Sequence, residues 1–211
     1  MQTRLRVRRH PERGVYEMEP IHAILDEGMI AHVGFLDAQT PVVIPTAYGR
    51  DGDRIYLHGS AVALWAKRMS EGTPVCVTVT LTDGLVLARS TFKHSMNYRS
   101  VMIFGRAVLV TDRAEKLRGL ERIVEHLVPG RSREARSPSE NELIATSVLR
   151  LSLEESTAKI RTGGPLDDED DLSRPVWAGV LPLRTAFGTP IPDPLVPPIV
   201  DVPDYVLGYK R

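Results

Sequence analysis

The fold is decided by residues 29–58, which read MIAHVGFLDAQTPVVIPTAYGRDGDRIYLH. Three short runs in this stretch are rich in β-branched, aromatic and other apolar residues, which favour strands. Turn residues separate the runs, and the Asp51-Gly52 pair is typical of a tight hairpin. The stretch therefore predicts an antiparallel meander. Its strands are expected at residues 29–36, 41–48 and 54–58.

Further strands are predicted downstream. Residues 75–81 alternate between apolar and polar or small side chains, and Asp83-Gly84 predicts a second hairpin that leads into residues 85–91. Residues 98–110 form the longest strand candidate, in which Gly105 indicates a bulge or a close approach of another group. Residues 148–153 complete the set. At least six antiparallel strands with few helices favour a closed or nearly closed barrel, because closure removes exposed sheet edges.

The helices are expected to be few, so the fold class is mostly β. Periodic apolar positions predict helices over residues 21–28 and 61–71. Capping pairs, in which a small polar residue is followed three positions later by Glu, indicate two more helices. These pairs are Asp112 with Glu115 and Ser139 with Glu142.

The chain of 211 residues is read as a single domain over residues 1–211. Its core is expected over about residues 15–162. From residue 163 to residue 211 the sequence is first acidic and then proline-rich, with little periodicity. This irregular tail is expected to lie over the barrel or over a partner subunit.

Composition excludes several classes of function. Lys plus Arg equals Asp plus Glu at 27 each, so no global field attracts nucleic acid or an anionic membrane. No run approaches the roughly 20 apolar residues of a membrane span, and the single cysteine, Cys76, cannot form an internal disulfide. The six histidines show no metal-site spacing, and no GxSxG motif indicates a hydrolase. We expect a cytoplasmic protein with no nucleic-acid or membrane partner and no metal site.

Residues 56–60, Tyr-Leu-His-Gly-Ser, lead into the predicted helix that carries Lys67. A strand that ends in a small-residue turn at a helix amino terminus offers free N–H groups and the positive end of the helix dipole, which suits a phosphate. Two simpler explanations stay open. Ser60 is also a good helix N-cap, and His58 alone could be a hydrogen-bonded residue at a strand end.

Residues 94–100 form a second constellation, a dense set of hydrogen-bond donors at and inside a strand. Such donors could bind the edge of a heteroaromatic ring, with Arg99 on a phosphate; equally, they could be a polar strand mouth that satisfies a loop. Residues 45–48, Pro-Thr-Ala-Tyr, end another strand with a proline that cannot donate to a ladder. That proline suggests an edge against which something lies.

These stretches, in this order, resemble the flavin mononucleotide (FMN)-binding split-barrel proteins related to pyridoxamine 5′-phosphate oxidase. The branch with the greatest resemblance is the one similar to the nitroimidazole-resistance reductases. The matching segments cover most of residues 10–190. They are residues 42–48, 55–60, 74–77, 83–90, 94–101, 104–105, 142–149, 159–161 and 177–180.

The resemblance implies a dimeric, antiparallel FMN-binding split β-barrel. In such a homodimer two flavins lie at the subunit interface and each is touched by both chains. His58 is then the first candidate for substrate contact or proton delivery. Pro45, Thr46 and Tyr48 would lie along the isoalloxazine ring. His58, Gly59, Ser60 and Lys67 would lie near the ribityl phosphate. Asn97, Tyr98, Arg99 and Ser100 would complete the contacts, and Trp177 would cover the pocket.

The functional hypothesis is an FMN-dependent oxidoreductase in which the flavin carries the electron chemistry. By the same resemblance the electron donor is NAD(P)H and the acceptor is a small, flat, electron-poor molecule. One alternative is a protein that holds FMN, haem or a deazaflavin as a carrier or sensor without turnover. Another is vitamin B6 oxidation proper. The arginine and histidine motif of true pyridoxamine 5′-phosphate oxidases is only partly matched at residues 177–184.

Overall fold

A computed structural model describes residues 5–211. Within that range ten strands form a single sheet and five α-helices flank it. The strands are β1 Gly14–Val15, β2 Ile30–Asp37, β3 Thr40–Arg50, β4 Arg54–Ser60, β5 Pro74–Leu87, β6 Ser95–Arg106, β7 Val108–Leu109, β8 Thr146–Ser152, β9 Ser156–Arg161 and β10 Gly179–Pro182. The helices are α1 Met18–Glu27, α2 Leu64–Ser70, α3 Arg113–Leu127, α4 Glu140–Ala145 and α5 Asp204–Leu207.

The sheet is antiparallel throughout, with the order β1-β9-β6-β5-β2-β3-β4-β8-β7 and with β10 added to β5. It curls into a split barrel, which confirms the predicted fold class. The meander of β2, β3 and β4 forms as the sequence predicts, and β2 also pairs with β5. In the described part of the chain the longest helix has 15 residues, and none has the length and apolar character that a bilayer crossing requires.

Side chains of alternate strand residues fill the barrel, because successive residues of a strand point to opposite faces. On β5, for example, Val77 is fully buried whereas its neighbour Thr78 is half-buried. Helix α1 packs Ile24 and Leu25 into the same core. The hydroxyl of Tyr48 fixes this helix from β3, because it donates to the carbonyl oxygens of Leu25 at 2.5 Å and Gly28 at 3.0 Å.

The predicted hairpin at Asp83-Gly84 is wrong. Strand β5 runs through this pair without reversing, and its register against β6 shifts between Thr82 and Gly84. The pair therefore forms a β-bulge, which inserts an extra residue and leaves the strand direction unchanged. Gly84 is needed there because β10 packs closely, so that a Cβ at Gly84 would lie 2.9 Å from the carbonyl oxygen of Leu181.

The helix caps give a mixed outcome. Ser60 does not cap α2, because β4 continues through Ser60 and the helix begins only after Ala63. The predicted order of strand, small-residue turn and helix is present, but the turn lies at residues 61–63 rather than at Gly59 and Ser60. Asp112 caps α3 as predicted, and Ser139 with Glu142 forms a complete capping box on α4.

The tail, residues 163–211, forms only β10, α5 and one short turn of 3-10 helix. Several of its apolar side chains are largely exposed, including Ile191 and Leu195. Its last residues nevertheless return to the barrel. Tyr209 donates to the carbonyl oxygen of Leu127 on α3, and Arg211 donates to that of Asp26 at 3.0 Å.

Candidate functional site

The outer face of the sheet is the side turned away from the barrel core. Four residues follow one another across it as register partners: Pro45 on β3, His32 on β2, Thr78 on β5 and Met102 on β6. Pro45, His32 and Met102 are exposed and Thr78 is half-buried. Exposed apolar side chains flank it, among them Val43, which is 64% exposed. The outer face therefore offers a broad surface for a flat ligand or another chain.

His58 lies on the same side of β4 as Tyr56, which packs beneath α3. Its Nδ1 is buried and has no hydrogen-bond partner in the described chain. Burial lowers the pKa of His58, so the imidazole is neutral at neutral pH. The next residue, Gly59, is covered by the ring of Trp65, because a Cβ at Gly59 would lie 2.3 Å from Trp65 Cζ2. Trp65 thus holds this strand end in place.

The residues predicted to contact a flavin ring differ in what they present. Pro45 is exposed on the outer face, whereas the side chain of Tyr48 is fully buried in the core. Burial raises the pKa of the Tyr48 phenol, which stays protonated. Thr46 is half-buried and donates to the Ala47 carbonyl oxygen at 3.2 Å. Tyr48 as a whole is 0% exposed, so within one chain it presents no surface to a flavin.

The donor cluster on β6 is divided by strand alternation. Asn97 and Arg99 face one side and have partners within the chain. Arg99 donates to Glu27 at 2.5 and 2.8 Å and to Asp83 at 2.7 Å, and these carboxylates raise its pKa further. The Asn97 amide donates to the Gly163 carbonyl oxygen at 3.1 Å. Tyr98 and Ser100 face the opposite, outer side.

The remaining predicted residues lie at the edges of this surface. Lys67 is exposed on α2, and among residues 5–211 it forms no ion pair with a carboxylate. Ser60 is also exposed, and its hydroxyl oxygen accepts a long hydrogen bond from the Val62 N–H at 3.4 Å. Trp177 is 68% exposed and packs against Gly179 at the start of β10. Within one chain, therefore, Trp177 covers β10. It does not cover the outer surface of β3 and β4 around Pro45 and His58, which we call the β3–β4 surface.

Two adjoining cavities were missed by the sequence analysis. The first, of about 420 Å³, lies between the tail and the outer face and is lined by His32, Leu183 and Arg211, among others. The second, of about 460 Å³, lies between the tail and the end of α3. Met29 and Phe187 line both, and we call the joint space the tail pocket. In the sequence, the only indication of this pocket was the set of apolar residues in the tail.

Arg211 supplies positive charge to the tail pocket. Its guanidinium donates to the carbonyl oxygens of Asp26 and Gly28 and forms no salt bridge with a carboxylate of residues 5–211. It also lies 2.9 Å from Nε2 of His126, which is 2.7 Å from the Gly28 carbonyl oxygen. Burial, together with Arg211, lowers the pKa of His126 to about 4. An anionic ligand group would therefore be favoured here.

Residues 5–211 contain no cluster of three or more His, Cys, Asp or Glu side chains that could hold a metal ion. A metal that brings most of its own ligands, such as haem iron, needs fewer protein side chains.

Comparison with known proteins supplies the context for this surface. The sequence model described as pyridoxamine 5′-phosphate oxidase matches residues 17–160. The flavocytochrome Anf3 from Azotobacter vinelandii is 42% identical, covering 99% of this chain and 97% of its own, with a TM-score of 0.93. The FAD and heme binding protein from Mycobacterium smegmatis is 34% identical, covering 93% and 96%, with a TM-score of 0.89. No curated protein sequence matches the chain.

A more distant structure shares the fold alone. The putative 5-nitroimidazole antibiotic resistance protein from Bacteroides thetaiotaomicron is 23% identical and covers 70% of this chain and 86% of its own, with a TM-score of 0.60. The tail is 49 of the 211 residues, so the matches over 99% and 93% of the chain must include most of it. The matched family region, by contrast, ends at residue 160, before the tail begins.

Proposed function

This chain belongs to the pyridoxamine 5′-phosphate oxidase family, and we propose that it is a flavin-dependent oxidoreductase that carries haem as a second cofactor. The observation that carries the proposal is the likeness, over nearly the whole chain, to a flavocytochrome and to a protein that binds FAD and haem. At 42% and 34% identity the likeness extends well beyond the common fold. A bound flavin would supply the electron transfer, and the protein would orient it and control access to it.

The flavin is assigned to the outer face beside β3 and β4. Pro45 presents an exposed apolar surface there, and Lys67 offers a cation without a carboxylate partner. His58 fits a role at the reacting edge, because a buried polar atom without a partner calls for one from a ligand or water. Its lowered pKa keeps the imidazole neutral, so that it can accept a proton near neutral pH.

A homodimer is part of the proposal because the predicted flavin contacts are separated within one chain. Pro45 and His58 lie on the neighbouring strands β3 and β4, whereas Tyr98 and Ser100 lie on β6, with β2 and β5 between the two groups. A second copy seated on the outer face could bring its β6 residues to the β3–β4 surface of the first. The exposed apolar residues of that face support such an interface.

Dilution tests the dimer. If both chains form each flavin site, flavin should be released as the dimer dissociates, because half of the pocket leaves with the partner. Sedimentation with detection at flavin wavelengths would follow both events at once. Flavin retained on a clean monomer would refute the shared site.

The flavin is proposed to be FAD, because FAD is what the similar Mycobacterium smegmatis protein binds. The sequence analysis expects FMN instead, and one experiment separates the two. Flavin released by heat from the purified protein, or from protein incubated with both flavins, is identified by chromatography against standards. FAD supports the proposal, and FMN supports the expectation from the family resemblance. The absence of both from the protein would overturn flavin binding.

Turnover is tested by anaerobic reduction with NADH or NADPH, followed by an electron-poor acceptor such as a nitroaromatic. We expect the flavin band to bleach and then to recover. His58→Gln should slow this cycle by about a hundredfold, which is typical of a lost proton-transfer group, while flavin stays bound. The matched control, His10→Gln, changes an exposed histidine paired with Glu12 and should behave as wild type. Bound flavin that stays inert towards donor and acceptor would instead indicate a carrier. Release of pyridoxal phosphate from the pyridoxamine form would indicate vitamin B6 oxidation.

A further inference from the structure

The structure assigns the proposed haem to the tail pocket, with His32 as the protein ligand to the iron and Arg211 as the partner of a haem propionate. This inference rests on the proposed function and adds the position of the second cofactor. The tail sets this chain apart from the matched family region. The flavocytochrome and the FAD and heme binding protein share most of the tail with this chain, whereas the family region ends at residue 160. Leu183, Phe187 and Arg211, all from the tail, line the pocket.

The volume and the apolar lining of the tail pocket suit a large, mostly apolar ligand. Its two parts measure about 420 and 460 Å³, and they meet at Met29 and Phe187. Ligand pockets in proteins usually span roughly 300 to 1,000 Å³ and are mostly apolar. The part beneath the tail is walled by Leu127, Val128 and Val206, which suits the apolar body of a porphyrin.

His32 is the histidine best placed to hold the iron. Imidazole is a common axial ligand of haem. His32 lines the pocket, projects from the outer face of β2 and is exposed, and its side chain has no hydrogen bond or ion pair within residues 5–211. The other five histidines are elsewhere or have partners: His10 with Glu12, His22 with Asp53, His94 with the Ser90 carbonyl oxygen, His126 with that of Gly28, and His58 at the proposed flavin surface.

The charges around the pocket suit the propionates. Glu27 also lines it, but its carboxylate is paired with Arg99, which lowers its pKa. Arg211 remains the cation with only neutral partners. An arginine can form two parallel hydrogen bonds to a carboxylate. A propionate would therefore find a charged donor that the chain itself leaves without an anion.

The assignment also places the two cofactors side by side. His32 and Pro45 are register partners on β2 and β3. Directly opposed residues of an antiparallel pair have Cβ atoms about 4.5 to 5.5 Å apart. The flavin surface and the iron ligand would thus be adjacent, which suits electron transfer between the cofactors.

Haem titration of the full-length protein tests the assignment. Wild type, His32→Ala and the control His10→Ala are each titrated with haemin, and haem and flavin per chain are measured by absorption and chromatography. We expect His32→Ala to bind haem at least about tenfold more weakly and to lose the spectrum of a histidine-ligated iron, since it lacks the ligand itself. Its flavin content should be that of wild type. His10→Ala should match wild type in both cofactors.

Chemical rescue separates ligation from a merely structural role of His32. In His32→Gly, added imidazole can enter the space left by the side chain and restore the spectrum of histidine ligation. Arg211→Ala should weaken haem binding by about tenfold, as expected for loss of a charged hydrogen bond, and Arg211→Lys by less. Because Arg211 lies outside the barrel core, these variants should leave the barrel folded, so the Arg211 result is informative even if β2 variants are unstable.

The outcomes distinguish the inference from the proposed function. If wild type binds haem and the spectra and affinities of the His32 and Arg211 variants are unchanged, the assignment to the tail pocket is overturned while the flavocytochrome proposal stands. If wild type binds flavin but no haem, both the assignment and the haem part of the proposed function are overturned. Loss of haem with flavin retained in His32→Ala, together with rescue by imidazole, supports the assignment.

Discussion

Ile103 on β6 is fully buried, whereas Ile199 in the tail is 89% exposed. Apolar side chains differ in burial in the same way between the barrel and the tail. The barrel buries many of its apolar side chains in a core shared with α1, whereas the tail leaves its isoleucine, leucine and valine side chains at or near the surface. Burial of apolar surface is the main favourable term in folding. The comparison therefore teaches that the barrel supplies the stability of this protein, while the apolar surface of the tail is available for binding.

The largest effect should come from shortening matched isoleucines in the two regions. Ile103→Ala leaves a cavity in the core and should lower the free energy of unfolding by about 3 to 4 kcal/mol. Ile199→Ala removes an exposed side chain and should change it by less than about 0.5 kcal/mol. Urea unfolding of both variants measures the difference. An equal loss in the two variants would contradict the division between barrel and tail.

Substitution of two glycines, one in the barrel and one in the tail, tests the same difference in packing. A Cβ at Gly49 would lie 2.5 to 2.6 Å from the backbone of Arg122 and Ile123, where α3 crosses β3. Since neither backbone can give way easily, Gly49→Ala should cost about 3 kcal/mol. Gly188 in the tail has open space around it, and Gly188→Ala should be nearly neutral. Thermal unfolding of the two variants checks this, and a harmless Gly49→Ala would mean that α3 does not pack as described.

His126 makes stability depend on pH where the tail meets the barrel. Its folded pKa, about 4, lies below the usual value of 6.5, so the unfolded chain binds the extra proton more readily. This contribution is present above pH 6.5 and is lost as the pH falls towards 4. With allowance for partial exposure it amounts to about 2 kcal/mol. His126→Gln should therefore show a shallower loss of stability over that range than wild type. Parallel pH profiles would refute the effect.

The smallest expected effect concerns one arginine of the barrel, Arg99, and one of the tail, Arg211. Arg99→Met leaves Glu27 and Asp83 without their partner and should cost about 1 kcal/mol, since the cluster is partly exposed. Arg211→Met should leave stability nearly unchanged. If Arg99 also neutralises the flavin phosphate, Arg99→Met should weaken flavin binding as well. Unchanged flavin affinity, measured by fluorescence titration, would remove Arg99 from the site.

Much of the barrel could be predicted because its signals are local. The strands β2 to β4 follow from short apolar runs between turn residues, and the box of Ser139 and Glu142 marks α4 directly. The Asp83-Gly84 pair led to a wrong prediction because the same two residues suit a hairpin or a bulge. Which of the two forms here depends on pairing with β6 and β10. Strand β10 itself pairs with residues nearly a hundred positions earlier, a contact that no local pattern announces.

The candidate site, like the barrel, could be predicted only where its signals are local in the sequence. The resemblance identified the family, but the sequence-based prediction grouped Arg99 with Tyr98 and Ser100, although strand alternation turns Arg99 to the other face. What it could not show was that Glu27, from α1, meets Arg99, or that the last residue of the chain returns to Gly28. Both contacts join distant segments and depend on the folded barrel. The tail pocket, which is built from such contacts, was therefore absent from the sequence-based prediction.

The most direct test of the account is the visible absorption spectrum of the purified protein supplied with flavin and haemin, recorded under nitrogen before and after addition of NADH. The account predicts a flavin band and an intense haem band in the same protein fraction after gel filtration. NADH should bleach the flavin band and then shift the haem band as the iron is reduced. A protein fraction that retains neither band, or that retains only flavin, would contradict the central claim that one chain carries both cofactors.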